Sequence, residues 1–514
     1  MTKKTPILMI GLDAAEVTLI DRYCAAGMLP ALQSLKEKGC FGLLRSNATI
    51  FAGGVWPSFY TSKDVPWHGV YHNKLWRHEK MRCEVVNGSW LYPKPFWEYL
   101  DAKKYRIVLF DVPTTLGIPN QINGIFLAGW GSHDISFKAS WPPNLWKQIE
   151  KKFGYPVMRQ ELIGPQNKNT LLKLKENMLK ETKQKLLISE FLLTQERCDL
   201  FFVVFGATHR GAHYLWNLSQ IDAAKLTPEI RGELERGLID LYRACDFAIA
   251  RLIEKAPQNA YLLVFALHGM GENLGWSDRC SDILFKIQQI NNNSPVKHGL
   301  IYKIKQAMPS QLTRQIVTSF PQGIQNRLVT LWSANMFDWS KTKYFPLPMD
   351  HAGYIRINLK GREPQGIVEP GNEYNAICNE LEEAFLSFRD IKTNKPIVDK
   401  VYHLDDRAPL DAPHRDVLPD LVVKWGNISA NESSGIRSDK YGEINWNNVG
   451  KLPSGRSGNH LDIGWFVAVG DGIPRATRID DYPILDLVPT VFKWLGAEPR
   501  EDFQGKPIPA LYLK

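Results

Sequence analysis

Phe201-Phe-Val-Val-Phe-Gly-Ala-Thr-His-Arg-Gly-Ala-His213 decides how the rest of this chain is read. Its first half is an apolar run of strand length, rich in β-branched and aromatic residues, closed by Gly206 and carrying no alternating polar face. A run of that kind belongs to a strand buried on both sides, the habit of parallel sheets in α/β proteins. Two histidines four residues apart follow at once. If a helical turn starts after Gly206, His209 and His213 share one face, and the i, i+4 spacing lets two imidazoles reach one metal ion. The same spacing serves a solvated or hydrogen-bonded pair, so the motif alone does not choose between them.

Working outward, other polar residues also sit just past apolar runs. Pro6 to Asp13 reads as a buried strand with an aspartate at its exit, suited either to capping the next helix or to holding a metal. Tyr261 to Leu267 is a strand followed directly by His268-Gly269. A polar loop from Gly426 to Gly458 delivers His460 ahead of a strand at Gly464 to Val469. Arg106 to Val112, Ile125 to Trp130, Gly353 to Leu359 and Pro419 to Lys424 read as further strands. Segments with helical periodicity lie between them: Val17 to Ala26, Leu29 to Lys38, Lys94 to Lys103, Asn169 to Thr194, Glu229 to Lys255, Tyr374 to Phe388 and Pro483 to Leu495. Strands alternating with helices predict an α/β fold around a mostly parallel sheet, with the site built from loops at the C-terminal ends of strands.

The stretch from Cys280 to Tyr344 differs in character. It is polar, basic and rich in Gln and Asn, with short helical pieces at Leu300 to Ala307 and Gln311 to Ser319. We read it as a cap inserted into one domain, giving a core over 1–279, a cap over 280–345 and the second part of the core over 346–514.

Composition sets the class. The chain has 514 residues, 44% apolar and 23% charged, as expected of a soluble globular protein. No apolar stretch is long enough to span a bilayer, and Met-Thr-Lys-Lys leads straight into a strand, so neither a signal peptide nor a transmembrane anchor is expected. Seven scattered cysteines without a CxxC pair fit the reduced thiols of a cytoplasmic protein. Part of the net charge of +9 comes from Lys168 to Lys185, by default a solvated helix face and otherwise a membrane-surface or polyanion contact. There is no specific nucleic-acid motif.

Five segments, in this order, resemble the alkaline phosphatase superfamily in its type I phosphodiesterase/nucleotide pyrophosphatase-like branch. They are Ile10-Gly-Leu-Asp13, the Leu44 to Val70 block with Thr61-Ser62 and His68-Gly69, the strand and turn ending at His213, His268-Gly269, and Gly458-Asn-His460 with Gly464 to Ile473. Ile484 to Gly496 resembles that family's last helix. The resemblance implies a three-layer sandwich with an inserted cap, and two divalent metals, usually zinc, flanking a Thr or Ser nucleophile. One metal would be held by an Asp, a His and a late His, the other by the first-strand Asp, the nucleophile and an Asp-His pair.

Carried over residue by residue, the pattern departs at three positions. The nucleophile position falls on Ala52, the Asp before His268 is Leu267, and the Asp expected at 209 is His209. The candidate metal ligands are therefore Asp13, His209, His213, His268 and His460. The second metal keeps only Asp13 and His268, whereas His209, His213 and His460 make three imidazole ligands with an open fourth position. A single ion is expected, zinc or another divalent transition metal. A small anionic phosphorylated or sulfated substrate is implied, with Gly53, Gly54, Arg210 and His351 as candidate contacts. His133-Asp134 and a basic rim of Arg356, Lys360 and Arg362 are further candidates.

Three readings stay open. The first is an enzyme with one His-rich metal site acting by non-covalent hydrolysis or transfer. The second is a pseudoenzyme retained for binding or scaffolding. The third is a conventional phosphodiesterase with a displaced nucleophile at Thr49, Ser58 or Ser62.

Overall fold

Nine strands form one sheet in the order Thr477–Pro483, Cys40–Arg45, Ile463–Val469, Tyr261–Ala266, Ile7–Leu12, Leu200–Phe205, Ile107–Phe110, Gly124–Ala128, Ala139–Trp141. The five strands from Tyr261–Ala266 to Gly124–Ala128 are mutually parallel. Ile463–Val469 runs antiparallel to both its neighbours, and Ala139–Trp141 runs antiparallel to Gly124–Ala128. This computed structural model describes residues 5–86, 90, 93–100, 104–115, 117–119, 122–131, 138–158, 162, 164–195, 197–291, 337–349, 351–446 and 450–512. The fold is α/β with a mostly parallel central sheet, as the alternation of elements predicts.

The apolar runs are explained by what lies on each side of the sheet. All six residues of Leu200–Phe205 are buried. Phe201, Val203 and Phe205 point into one core with Leu8, Ile10 and Leu12, packed under the helices Lys168–Gln195 and Gly237–Lys255. Leu200, Phe202 and Val204 point into a second core with Ile7 and Met9, under Val55–Thr61 and Leu487–Trp494. Successive side chains alternate between two apolar layers, so neither face needs a polar residue. Gly11 has no side chain because Val204 and Trp56 fill that space: a Cβ would lie 3.0 Å from one and 3.2 Å from the other.

The strands at Gly353–Ile357 and Leu421–Trp425 form as expected but do not join the central sheet. With Tyr344–Pro346 and Val398–His403 they build a separate four-stranded antiparallel sheet. Its own core includes Ile283 and Ile287 of the Cys280–Asn291 helix and Leu381 and Phe385 of the Asn372–Ser387 helix. The chain returns to the central sheet with Ile463–Val469. Gly353–Ile357, Val398–His403 and Leu421–Trp425 thus belong to a sheet separate from the central one. Apolar periodicity reports that a strand is buried, not which strand it pairs with.

Several charges move inward relative to the expectation. Arg356 and Arg362 are not a solvated surface rim: the buried Arg356 donates from Nε to Glu363 at 2.8 Å, and the part-buried Arg362 from Nη2 to the buried Asp420 at 2.7 Å. In the basic segment, Lys175 pairs with Glu233 (2.6 Å) and Asp240 (2.7 Å), and Lys185 pairs with Asp111 at 2.6 Å with both side chains buried. Those two lysines are spent inside the fold and cannot contribute to a membrane-facing stripe. Among the described residues no helix is long and apolar enough to cross a membrane. Of Lys94 to Lys103, only the 3₁₀ turn Phe96–Glu98 forms among the described residues. His133-Asp134 and the helical pieces expected at Leu300 to Ala307 and Gln311 to Ser319 lie outside the described residues.

Candidate metal centre

The helix Ala207–Leu215 starts one residue after the Leu200–Phe205 strand, with every residue buried. Its start is tied to the neighbouring strand end: Asp13 N–H donates to Phe205 O (3.0 Å), and Thr208 Oγ1 donates to Asp13 O (2.6 Å). This places His209 and His213 at the C-terminal edge of the sheet, one turn apart.

His460 arrives from the far end of the chain on a short antiparallel ribbon. Gly269–Glu272 pairs with Gly458–Leu461, with Met270 opposite His460. The ribbon follows directly after the Tyr261–Ala266 strand, so it carries His268 and His460 to one place, with ring centroids 5.1 Å apart. The ribbon docks on the histidine helix through Ser457 N–H donating to His213 O at 2.7 Å. A side chain at Gly458 would meet Ala212 O at 2.2 Å, so only glycine permits this approach.

His209 Nε2 lies 2.9 Å from His460 Nε2 and 3.0 Å from His213 Nε2. The three rings can each present a nitrogen within 4.8 Å of the others. The opposite ring atoms are also bonded. His209 Nδ1 is 2.8 Å from Asp13 Oδ2, and His213 Nδ1 is 2.9 Å from Gly458 O. A carboxylate and a carbonyl only accept, so both Nδ1 atoms carry hydrogen. In the neutral rings, both Nε2 atoms then present lone pairs to each other at 3.0 Å. That arrangement is repulsive unless a cation, a proton or a metal ion, lies between them. Zn–N bonds of 2.0–2.1 Å at tetrahedral angles separate nitrogens by roughly 3.3 Å, so a small outward shift of the rings accommodates an ion. Three imidazoles suit zinc, copper, iron or nickel.

Asp13 is buried and faces His209 from behind. Burial pushes its pKa up, but the neighbouring His209 and His268 and the Trp56 hydrogen bond outweigh this and hold it well below the usual carboxylate range. Its Oδ1 accepts from Trp56 Nε1 at 2.9 Å and lies 3.9 Å from His268 Nε2. Around this side the walls are apolar: Leu267 is fully buried in the core shared by Trp56, Phe59 and Phe265. Ala52 lies in the 3₁₀ turn Ala52–Gly54 and offers no hydroxyl.

The hydroxyls near Ala52 are each engaged elsewhere. Thr49 N–H and Oγ1 donate to Asp462 at 2.7 and 2.6 Å. Ser62 Oγ donates to Leu485 O (2.9 Å) and Thr61 Oγ1 to Pro57 O (2.6 Å). Ser58 Oγ is 2.9 Å from His68 Nε2, while His68 Nδ1 accepts from Val70 N–H (3.1 Å). A neutral His68 therefore carries its proton on Nε2 and donates to Ser58, the wrong tautomer to act as its base.

Of the candidate substrate contacts, two glycines and an arginine are packed against other parts of the chain. Gly53 and Gly54 lie against the Val70–His72 backbone, where a Cβ would meet His72 Cα at 2.7 Å or Val70 O at 2.8 Å. Arg210 is buried, its Nη1 donating to Gly131 O (2.7 Å) and 3.5 Å from Glu181, so this guanidinium is engaged inside the protein. His351 sits at the antiparallel sheet, its carbonyl accepting from Trp425 Nε1 at 3.0 Å. A cleft lined by Arg45, Asn47, Phe51, Ser58, Asp64 and Asp462 contains none of the histidines. Sequence reading passed over Trp56 and Asp462. Asp462 follows His460 by two, the strand repeat that keeps side chains on one face. Trp56, one helical turn past Ala52, carries no comparable signal.

A family model for type I phosphodiesterase/nucleotide pyrophosphatase matches residues 7–428. The chain belongs to this family. It is therefore a member of the alkaline phosphatase superfamily. Two solved structures of phosphonoacetate hydrolase from Sinorhizobium meliloti 1021, bound to phosphonoformate or to phosphonoacetate, share its fold at TM-scores of 0.51 and 0.50. Each is 14% identical, with 96% of both chains covered. Human ectonucleotide pyrophosphatase/phosphodiesterase 5 is also similar, with a TM-score of 0.47, 11% identity and 96% of both chains covered. Comparison with curated proteins by sequence gives no match. Family membership makes this a phosphoester-processing type of protein, and among the described residues the imidazole cluster is a group that could hold a metal ion.

Proposed function

We propose that this protein processes a small phosphorylated or sulfated ester at a single metal site formed by His209, His213 and His460, by hydrolysis or group transfer without a covalent enzyme intermediate. The observation that carries the reading is the convergence of three buried imidazole nitrogens, two of them with their lone pairs fixed toward the common centre. A divalent metal held there supplies Lewis-acid stabilisation of developing charge on a phosphoryl or sulfuryl oxygen and lowers the pKa of water. The chain's own residues do the rest. Leu267 and Trp56 exclude water from the Asp13 side, and Gly458 O and Asp13 orient two of the rings. Ala52 leaves no side-chain nucleophile at the family position. The scattered cysteines support a cytoplasmic protein.

A second reading, a binding protein that has lost turnover, is favoured by the concurrence of Ala52 with Leu267 buried in the core. Metal content of the purified protein, before and after supplementation, is measured alongside turnover of nitrophenyl phosphodiesters, phosphomonoesters, sulfate esters and phosphonoacetate. The enzyme reading expects one ion per chain and a turnover lost in His460→Ala. One bound ion with no turnover on any ester class supports the binding protein. A wild-type protein that keeps only substoichiometric metal overturns the metal-site reading.

A further inference from the structure

The residue that the family resemblance makes a metal ligand, Asp13, has both of its oxygens turned to other work. One accepts from His209 Nδ1 at 2.8 Å and the other from Trp56 Nε1 at 2.9 Å. The position that would complete a second site on this side is Leu267, fully buried, and the nucleophile position is Ala52. His209, standing where the family has an acid, lies between Asp13 and the other two imidazoles.

We infer that Asp13 is an outer carboxylate of a one-ion centre, a positioning residue that fixes the ring orientation and tautomer of His209, and not a ligand to any metal. The inference rests on the reading that His209, His213 and His460 hold an ion, and it deepens that reading by assigning the support of the site. A carboxylate accepting Nδ1–H does two things for a ligating imidazole. It keeps the lone pair on Nε2, and it makes that nitrogen a better donor. Trp56 holds the carboxylate still, because its indole N–H has a fixed direction and its ring is packed between Phe59, Phe202 and Phe265, with centroids 5.9 to 6.5 Å away. On the other side of the cluster Gly458 O plays the same part for His213. The arrangement is a carboxylate–histidine pair of the kind that tunes metal sites from one bond further out, here made from what the family uses as a direct ligand.

The test uses the full chain loaded with Co(II), whose visible spectrum reports its donor set, with affinity measured by competition against a chromophoric chelator. Asp13→Ala is expected to bind one Co(II) with an unchanged band pattern and an affinity lower by roughly 10- to 100-fold. Asp13→Asn, whose amide oxygen still accepts from Nδ1–H, is expected to recover part of that loss. His209→Ala is expected to change the spectrum itself. Two ions per wild-type chain, or an altered Co(II) spectrum in Asp13→Asn, would overturn the inference while leaving a metal site in place.

A second arm separates this outcome from failure of the metal-site reading. In metal-free protein labelled with ¹⁵N-histidine, the His209 ring is expected as the Nδ1–H tautomer in wild type and as a tautomer mixture in Asp13→Ala. Wild type that binds no Co(II) but shows this tautomer shift sinks the metal site and keeps Asp13 as the orienting group. An unchanged tautomer in Asp13→Ala removes that role regardless of metal.

Discussion

His68 offers a test of the structure that does not depend on metal or substrate. Its ring is fully buried, accepts from Val70 N–H at Nδ1 and sits 2.9 Å from Ser58 Oγ through Nε2. Adding a proton would place it on Nδ1, where it destroys the Val70 bond and leaves a charge in an apolar site. Burial first, then the charge of His414, lowers the pKa from the ordinary 6.5 to about 3. The unfolded chain takes up this proton as pH falls below 6.5, while the folded protein refuses it until about pH 3. The stabilising contribution is therefore complete above pH 6.5 and is lost progressively between 6.5 and 3. At about 1.4 kcal/mol per pH unit, the fall from 6.5 to about 3 sets a ceiling of about 5 kcal/mol, and by pH 4.5 about half of it is gone. His68→Gln keeps a polar side chain without the titration. Urea unfolding of both proteins at pH 7.5 and at pH 4.5 gives four stabilities whose double difference cancels the carboxylates common to both. Wild type is expected to lose about 2–3 kcal/mol more than the variant over that interval. Parallel losses in the two proteins would show that His68 is solvated or already charged, and the argument against Ser58 as an activated nucleophile would fall with it.

Two further perturbations probe the core and the lost second site. Lys185→Met leaves Asp111 buried without its 2.6 Å partner and is expected to cost about 3–5 kcal/mol in urea unfolding, much of it recovered in Lys185→Met/Asp111→Asn. A cost near zero would place the pair in solvent. Leu267→Asp combined with Ala52→Thr rebuilds the family's residues at two positions. Loss of the buried leucine alone is worth about 2–5 kcal/mol, and the new carboxylate has no partner unless a second ion binds. No zinc-dependent rise in melting temperature beyond that of wild type is expected, because Asp13 is held by His209 and Trp56; a large one would show that the second site is only masked.

Residue order determined a good deal of this protein by itself. The uniform apolar runs at Ile7–Leu12, Leu200–Phe205 and Tyr261–Ala266 could be satisfied only by a sheet covered on both faces, and the helical periods between them required crossover connections. That was enough to place Asp13, His209 and His268 at one sheet edge, because each follows directly on such a run. The i, i+4 spacing of His209 and His213 is local geometry, and a helix delivers it wherever that segment lies.

What the sequence could not decide were the partners that tertiary packing supplies. His460 stands 251 residues from His209, and only the ribbon with Gly269–Glu272 brings them to 2.9 Å. Gly353–Ile357 carries the burial pattern of a core strand, yet it pairs outside the central sheet. Arg356 and Arg362 have the spacing of a basic rim, yet Glu363 and Asp420 draw them inward. Asp13 occupies a ligand's place in the order of residues, and the indole of Trp56 and the imidazole of His209 direct its oxygens elsewhere. The physical reason is common to all four. Hydrophobic period is a property of a few consecutive residues and fixes how they are buried, whereas the direction of a hydrogen bond or an ion pair depends on which distant atoms the completed packing brings within 3 Å.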